Sequence, residues 1–467
     1  MNVSFFGELL TAISERGRQI LDLSRIASGQ GETVESLSQA LLTGRGEASG
    51  VVLAQQILSR YNALDDGRRH QFFRFLAETI TPDTDKVMNA ARGFVQSPGP
   101  DTLKRLTQSI EPPRLEYLRR LNLAPGATAD IVAMRKDLLR FLKEDDALAA
   151  VDRDFVNQLV SWFNRGFLVL QRIDWSTPAN ILEKIIRYEA VHEIQGWDDL
   201  RRRLDPADRR CFAFFHPSLV DEPLIFVQVA LAREVPGSIR QVLQEEKRKP
   251  QEMREPTTAV FYSISNCQDG LRGISFGNFL IKQVVEDLAR AIPSLKTFVT
   301  LSPVPGFSTW LERAKASQIL TYLDATEMAI LDNLADEGWT EDEELAEAMH
   351  PVLMAAAAHY FLAAKNIHGR PIDPVARFHL GNGARLERIN WLGNTSPKGM
   401  KEAHGLMVNY RYDLRDIERN HELFANSGAV AASKPVRAFL QVPEKSQALV
   451  TVAEEGLKNQ GEQDALA

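Results

Sequence analysis

Gly270, Gly273 and Gly277 punctuate the stretch 265–282, Ser-Asn-Cys-Gln-Asp-Gly-Leu-Arg-Gly-Ile-Ser-Phe-Gly-Asn-Phe-Leu-Ile-Lys. An extended apolar run, 258–264, precedes it, and an amphipathic segment reaching Arg290 follows. A strand, a glycine turn and a helix in that order leave backbone N–H groups pointing outward at a helix N-terminus, where the helix dipole adds partial positive charge. Glycine lets the backbone approach a ligand where a Cβ would obstruct it. The turn therefore suits a phosphate or pyrophosphate, while an ordinary strand-to-helix turn of an α/β domain carries similar glycines. The GxxxxGKS or GxxxxGKT pattern of P-loop NTPases is absent, and the glycines do not read GxGxxG, which disfavours both P-loop and dinucleotide folds.

His379 and Ser302 are the other side chains with chemistry to offer. His379 lies in Phe-His-Leu just before Asn382-Gly383, and an imidazole can carry a proton near neutral pH. A histidine flanked by apolar residues also reads as a core residue. Ser302 opens Ser-Pro-Val-Pro-Gly directly after the apolar run 297–301. Pro303 and Pro305 would fix its direction, and a turn serine capping local backbone is the plainer reading. No GxSxG elbow surrounds Ser302, so a hydrolase triad is unsupported. His192-Glu193 lacks the second histidine of HExxH, and Cys211 and Cys267 are too few for a common zinc site, so no metal is expected. Two cysteines imply no disulfide framework and suit a reducing compartment. Cys267, beside the glycine turn, is read as a small buried residue or a reactive thiol.

The elements that must position these groups fall into two parts. The first is helical: Ile131, Met134, Leu138, Phe141 and Leu142 form one apolar stripe, and Phe155, Leu159, Trp162 and Phe163 another. Pro112-Pro113 and Pro125-Gly126 separate helices, and no fixed-period repeat is present. Such helices can serve as an oligomerisation surface or as pure scaffold. The character changes near 173–178, where Ser176 or Thr177 is expected to cap a helix begun at Pro178. The run 224–231 reads as a strand buried on both faces, with further strands at 258–264 and 297–301. The charged insert 241–255 reads as a solvated helix and loop. Phe276, Leu280, Val284 and Leu288, with Ile281 and Val285 beside them, mark a helix after the glycine turn. A helical insertion is expected over 341–364, broken or kinked at Pro351. Asn382-Gly383 is expected to turn a hairpin between strands at 377–380 and 386–391. The tail from Glu454 onward reads as frayed. The fold class is α+β, with a helical domain over 1–170 and a mixed α/β domain over 171–467.

At 467 residues the chain is long enough for two or three domains, each with a core. Apolar residues at 44% and charged residues at 25% are ordinary for a globular protein. A formal charge of −7 argues against a broad nucleic-acid surface. The basic clusters at 201–203 and at Arg209-Arg210 read as solvated helix faces, or as an attraction for an anionic ligand. No apolar run reaches the roughly 18 residues of a membrane span. The N-terminus carries Glu8 and Glu15 without a basic leader, and the C-terminus, Asp-Ala-Leu-Ala, is no peroxisomal tripeptide. A cytoplasmic location is expected.

The stretch 265–282 resembles the acyl-CoA pyrophosphate loop of the GNAT acyltransferase superfamily. After it come Thr-Leu-Ser-Pro-Val-Pro-Gly-Phe at 300–307 and Asp-Pro-Val-Ala-Arg-Phe-His-Leu-Gly-Asn-Gly-Ala at 373–384. Arg-Ile-Asn-Trp at 388–391 and Gly-Leu-Met-Val-Asn-Tyr-Arg-Tyr at 405–412 complete the series. In this order, across roughly 170–415, they resemble the malonyl-CoA decarboxylase family, a divergent GNAT branch. The resemblance implies a GNAT-like catalytic domain that converts malonyl-CoA to acetyl-CoA and CO2. No cofactor is implied, because the thioester carbonyl itself accepts the charge left by CO2. It implies that Arg272, Gly273, Ile274, Ser275, Phe276, Gly277 and Asn278 hold the CoA pyrophosphate, chiefly through backbone N–H groups. Ser302 matches the family's catalytic serine and His379 its proton donor, expected to act as imidazolium. Tyr412 matches a tyrosine that supports the histidine or the substrate. Arg388 and Asn390 are left without a role. A homodimer or homotetramer is implied, and the chain fits a bacterial cytoplasmic form. Two other readings stay open: an acyltransferase using an acyl-CoA donor, which needs an acceptor site and a base, and a non-catalytic acyl-CoA sensor.

Overall fold

The computed structural model describes residues 33–43, 46–243, 255–274, 280–336 and 338–440. Helices dominate up to Trp162, and from Val169 onward the chain builds a mixed sheet with helices packed on it. The expected stripes lie inside: Ile131, Met134 and Leu138 of helix Ala127–Phe141 are buried, as are Phe155 and Leu159 of helix Ala149–Trp162. They join Tyr61, Phe72, Phe73 and Tyr117 in one core. Helices Thr84–Gln96 and Pro100–Ile110 differ, for neither contributes a buried residue. Met88, Val95, Leu103 and Ile110 on them are exposed.

The strands are β1 (Val169–Ile173), β2 (Arg209–Phe215), β3 (Pro223–Ala232), β4 (Thr258–Asn266), β5 (Thr297–Thr300), β6 (Ser302–Pro303), β7 (Arg385–Asn390) and β8 (Met407–Arg411). β1 to β4 form an antiparallel series, and β4 pairs with β5 in parallel. β5 and β6 follow each other along one edge of β8, while β7 takes the other edge. All but the last residue of β3 is buried, as its unbroken apolar run predicts.

The β4–β5 pair sets the site. Their parallel register runs from Thr258↔Thr297 to Phe261↔Thr300, and the Leu301 N–H donates to the Phe261 carbonyl. Beyond that point β4 continues to Asn266 against β3, while the other chain turns away to pair with β8. The register between β3 and β4 also slips here. Gln228 faces Ser263 and Val229 faces Phe261, leaving Tyr262 as the extra residue of a bulge. The strands thus part beside a locally bent backbone, and the gap opens next to Ser302.

Two local expectations are corrected, and of the alternatives at Pro351 the break is excluded. Residues 377–380 are not a strand: Pro374–Gly381 is a helix, started by Pro374 in its first turn and by Asp373, whose Oδ1 accepts the Ala376 N–H at 2.6 Å. Asn382-Gly383 accordingly ends a helix instead of turning a hairpin. Gly383 has φ 80°, and a Cβ there would stand 2.1 Å from the Ile417 carbonyl oxygen, so glycine is required by both conformation and packing. Neither Ser176 nor Thr177 caps the next helix, Ala179–Tyr188, whose N-cap is Pro178. Both instead bond to Asp174, which accepts the Ser176 N–H and donates its own N–H to Thr177 Oγ1. Helix Glu343–Leu362 runs on through Pro351 without a break. Most of the charged insert and the tail from Glu454 lie outside the described residues.

Candidate active site

Ser302, His379 and Tyr412 meet although they stand on a short strand, a helix and the chain just past β8. Ser302 Oγ is 3.1 Å from His379 Nε2, and His379 Nδ1 is 2.8 Å from the Tyr412 hydroxyl. Ser302 donates its hydroxyl proton to Thr300 Oγ1 at 2.8 Å, and the same oxygen accepts the Tyr410 N–H at 3.0 Å. A serine has one proton, so its oxygen can only accept from the imidazole in this arrangement. Nε2 therefore carries hydrogen, Nδ1 is the acceptor, and Tyr412 donates to it. The Tyr410 ring lies against the imidazole, with centroids 4.5 Å apart and planes at 24°.

His379 is 3% exposed, and burial pushes its pKa down to about 3. The resting ring is neutral, so the expectation of an imidazolium is not met in the free site. Burial likewise pushes the Tyr412 hydroxyl well above the usual phenolic range, so it stands as a proton donor to Nδ1. The histidine's place on a helix, not at a strand end, explains why its ring can reach Ser302 on one side and Tyr412 on the other.

Ser302 and His379 open into a cavity of about 270 Å³, lined also by Val191, Phe261, Ile264 and Val375. A second cleft of about 410 Å³ lies beside it, lined by Asp269, Arg272, Gly273, Ile274 and Arg377. Asn266 and Phe378 belong to both linings, so the two spaces adjoin. Of the glycine turn, Arg272, Gly273 and Ile274 line the second cleft, while Ser275, Phe276, Gly277 and Asn278 lie outside the described residues. Gly273 has φ +79°, and a Cβ there would meet nothing within 4 Å, as a ligand-facing glycine requires. Gly270 has a different reason to be glycine. Its Cβ would stand 1.9 Å from the Val132 carbonyl oxygen in helix Ala127–Phe141, so it serves packing between helix and turn, not ligand approach.

Arg388 and Asn390 acquire a role that the sequence left open. Arg388 Nε donates to Asn390 Oδ1 at 2.7 Å and to Asn409 Oδ1 at 3.1 Å, and Asn390 also donates to Asn409 Oδ1. Asn409, fully buried, donates onward to the Thr300 carbonyl at 2.7 Å. The lattice thus holds β5 where it carries the acceptor for Ser302. Thr300, Asn409, Tyr410 and Asp373 were not singled out from sequence. Only Asp373 carried a local signal, its Asp-Pro pair at a helix start. Cys267 is buried and its thiol is pushed well up by that burial, which suits a small core residue. No described helix is long and apolar enough to cross a membrane.

Family models named malonyl-CoA decarboxylase N-terminal domain and malonyl-CoA decarboxylase C-terminal domain match residues 80–163 and 166–450. The mitochondrial malonyl-CoA decarboxylase of Anser anser anser is 37% identical over 365 residues, 72% of this chain and 71% of its own. That of Rattus norvegicus is 35% identical over 363 residues, 72% of this chain and 73% of its own. Among solved structures, malonyl-CoA decarboxylase from Rhodopseudomonas palustris superposes with a TM-score of 0.84 at 54% identity, covering 87% of this chain and 98% of that one. The Agrobacterium vitis structure gives 0.82 at 53% identity, covering 88% and 100%. Sequence order, fold and models spanning both parts agree: the chain belongs to the malonyl-CoA decarboxylase family of carboxy-lyases.

Proposed function

We propose that this protein releases CO2 from malonyl-CoA and protonates the resulting thioester enolate to give acetyl-CoA, using Ser302 and His379. The observation that carries the reading is the Ser302–His379–Tyr412 relay opening into a cavity that adjoins the cleft under the glycine turn. The pyrophosphate rests at Arg272–Gly273–Ile274 and the malonyl end reaches the relay. Breaking the C–C bond leaves its electron pair in the thioester enolate, and CO2 departs. His379 Nε2–H, released from Ser302, delivers a proton to the α-carbon as the Tyr412 hydroxyl proton passes to Nδ1, which leaves the ring neutral and Tyr412 as the tyrosinate. A neutral imidazole polarises the substrate carbonyl in triosephosphate isomerase, so a neutral ring can also serve as hydrogen-bond donor to the developing enolate. A proton from solvent restores the relay, so the reaction consumes one proton. Ser302 orients the ring and the substrate carboxylate, contributing by positioning.

We also infer a homodimer or homotetramer, supported by the exposed apolar residues of helices Thr84–Gln96 and Pro100–Ile110, and a cytoplasmic setting in keeping with the free cysteines. The purified protein incubated with malonyl-CoA alone is expected to release CO2 and acetyl-CoA in equal amounts. Product formation only after an amine or hydroxyl acceptor is added would instead establish an acyltransferase. Acyl-CoA binding without turnover would establish a sensor.

A further inference from the structure

Arg135 belongs to helix Ala127–Phe141 of the helical N-terminal part, yet its guanidinium ends inside the glycine turn. It is 2% exposed. Its Nε donates to Asp152 Oδ1 at 2.8 Å. One terminal nitrogen donates to two carbonyls of the turn, Gly270 O at 2.7 Å and Arg272 O at 2.8 Å. The Val132 carbonyl presses on Gly270 one helical turn away, where no Cβ would fit, and Lys136 Nζ pairs with Asp269 Oδ2 at 2.9 Å. Three successive contacts of one helix therefore grip the turn from behind.

The geometry of the peptide unit turns this grip into a functional statement. In a trans peptide the C=O and the following N–H point in opposite directions. Holding the Arg272 carbonyl toward Arg135 aims the Gly273 N–H away from it, and Gly273 lines the cleft. We infer that Arg135 is a positioning residue for CoA binding. It is a strut from the helical part that fixes the direction of the Gly273 N–H and so presets the turn for a pyrophosphate. The inference rests on reading this turn as the pyrophosphate site. It also gives the N-terminal part a share in substrate affinity, since any shift of helix Ala127–Phe141 moves the donor.

The test compares Arg135→Met, Arg135→Lys, Asp152→Asn and Gly273→Val in the full chain. The readouts are calorimetric affinity for unacylated CoA, KM and kcat for malonyl-CoA, and the thermal midpoint. Arg135→Met is expected to weaken CoA roughly five- to tenfold and to raise KM in step, with kcat at saturation within about twofold. Arg135→Lys, which keeps the buried charge but reaches one carbonyl, is expected to fall between. Asp152→Asn keeps both carbonyl bonds and lowers the midpoint while leaving CoA affinity within about twofold. That contrast separates positioning from mere stability. If Gly273→Val weakens CoA but folded Arg135→Lys and Arg135→Met bind it as the parent does, the strut is wrong and the site stands. If Gly273→Val also binds as the parent does, the pyrophosphate site itself is misplaced. Should Arg135→Met not fold, Arg135→Lys against Asp152→Asn decides the matter alone.

Discussion

Ser302 can give its one proton to Thr300 or to His379, not to both. The choice made here, toward Thr300, fixes the imidazole with hydrogen on Nε2, directed at Ser302. Thr300→Val removes the acceptor at nearly constant volume, letting Ser302 donate to Nε2 and exclude its hydrogen. It is expected to lower kcat by about tenfold with little change in KM, a loss confined to the transition state, and Thr300→Ser should restore most of it. A parent-like kcat in folded Thr300→Val would end the proposed proton arrangement. His379→Ala should lower turnover by about 10²- to 10⁴-fold, the range for losing acid–base help. Near-normal CO2 release from that variant would remove His379 from the mechanism. Because burial holds the His379 pKa at about 3, the free enzyme keeps a neutral ring through the mildly acidic range. The acid limb of kcat/KM is therefore expected below about pH 5, not near the ordinary imidazole value. Ser302, His379 and Tyr412 were legible because each sits in a distinctive motif. Thr300 and Tyr410 were not, because their contact joins residues 110 positions apart and nothing local announces it.

The Pro374–Gly381 helix aims the histidine, and its first turn hangs on Asp373. That carboxylate is fully buried, accepts the Ala376 N–H through Oδ1 and the Tyr360 hydroxyl through Oδ2, and its pKa is raised by burial. Asp373→Ala loses the cap and strands the Tyr360 hydroxyl, so a cost of about 2–3 kcal/mol is expected, with a matching loss in kcat as His379 drifts. Asp373→Asn keeps an acceptor for the cap without a buried charge and should cost clearly less. Urea midpoints for the pair check this, and equal losses would show that the cap is not what matters. The strands were readable because continuous apolar runs such as 224–231 have few alternatives. Asn-Gly at 382–383 misled because the dipeptide serves any positive-φ turn. Here the Asp-Pro start nine residues upstream of Asn382 outweighs it, since an initiated helix must also end.

At the scale of the whole molecule, the cost of building a dry site into the sheet appears as acid sensitivity. Burial holds His379 at about 3 and His192 at about 4, and it also lowers His216 and His404. His192 Nε2 is buried without a partner, as a neutral ring tolerates better than a charged one. In the unfolded chain these imidazoles titrate near their ordinary value of about 6.5. Below that pH the unfolded state binds protons that the folded state refuses, so stability is complete above about pH 6.5 and falls as the pH drops toward the folded values. His379 and His192 each contribute a slope of about 1.4 kcal/mol per pH unit inside their windows. Between roughly pH 6.5 and 5 most unfolded carboxylates are still ionised, so the histidines dominate the decline. Urea unfolding at pH 7, 6 and 5 should therefore show a steady loss of stability, and His379→Gln should flatten that dependence by about one histidine's slope, 1.4 kcal/mol per unit. An unchanged slope in folded His379→Gln would mean that this imidazole is charged in the native site, and the neutral relay would fall with it.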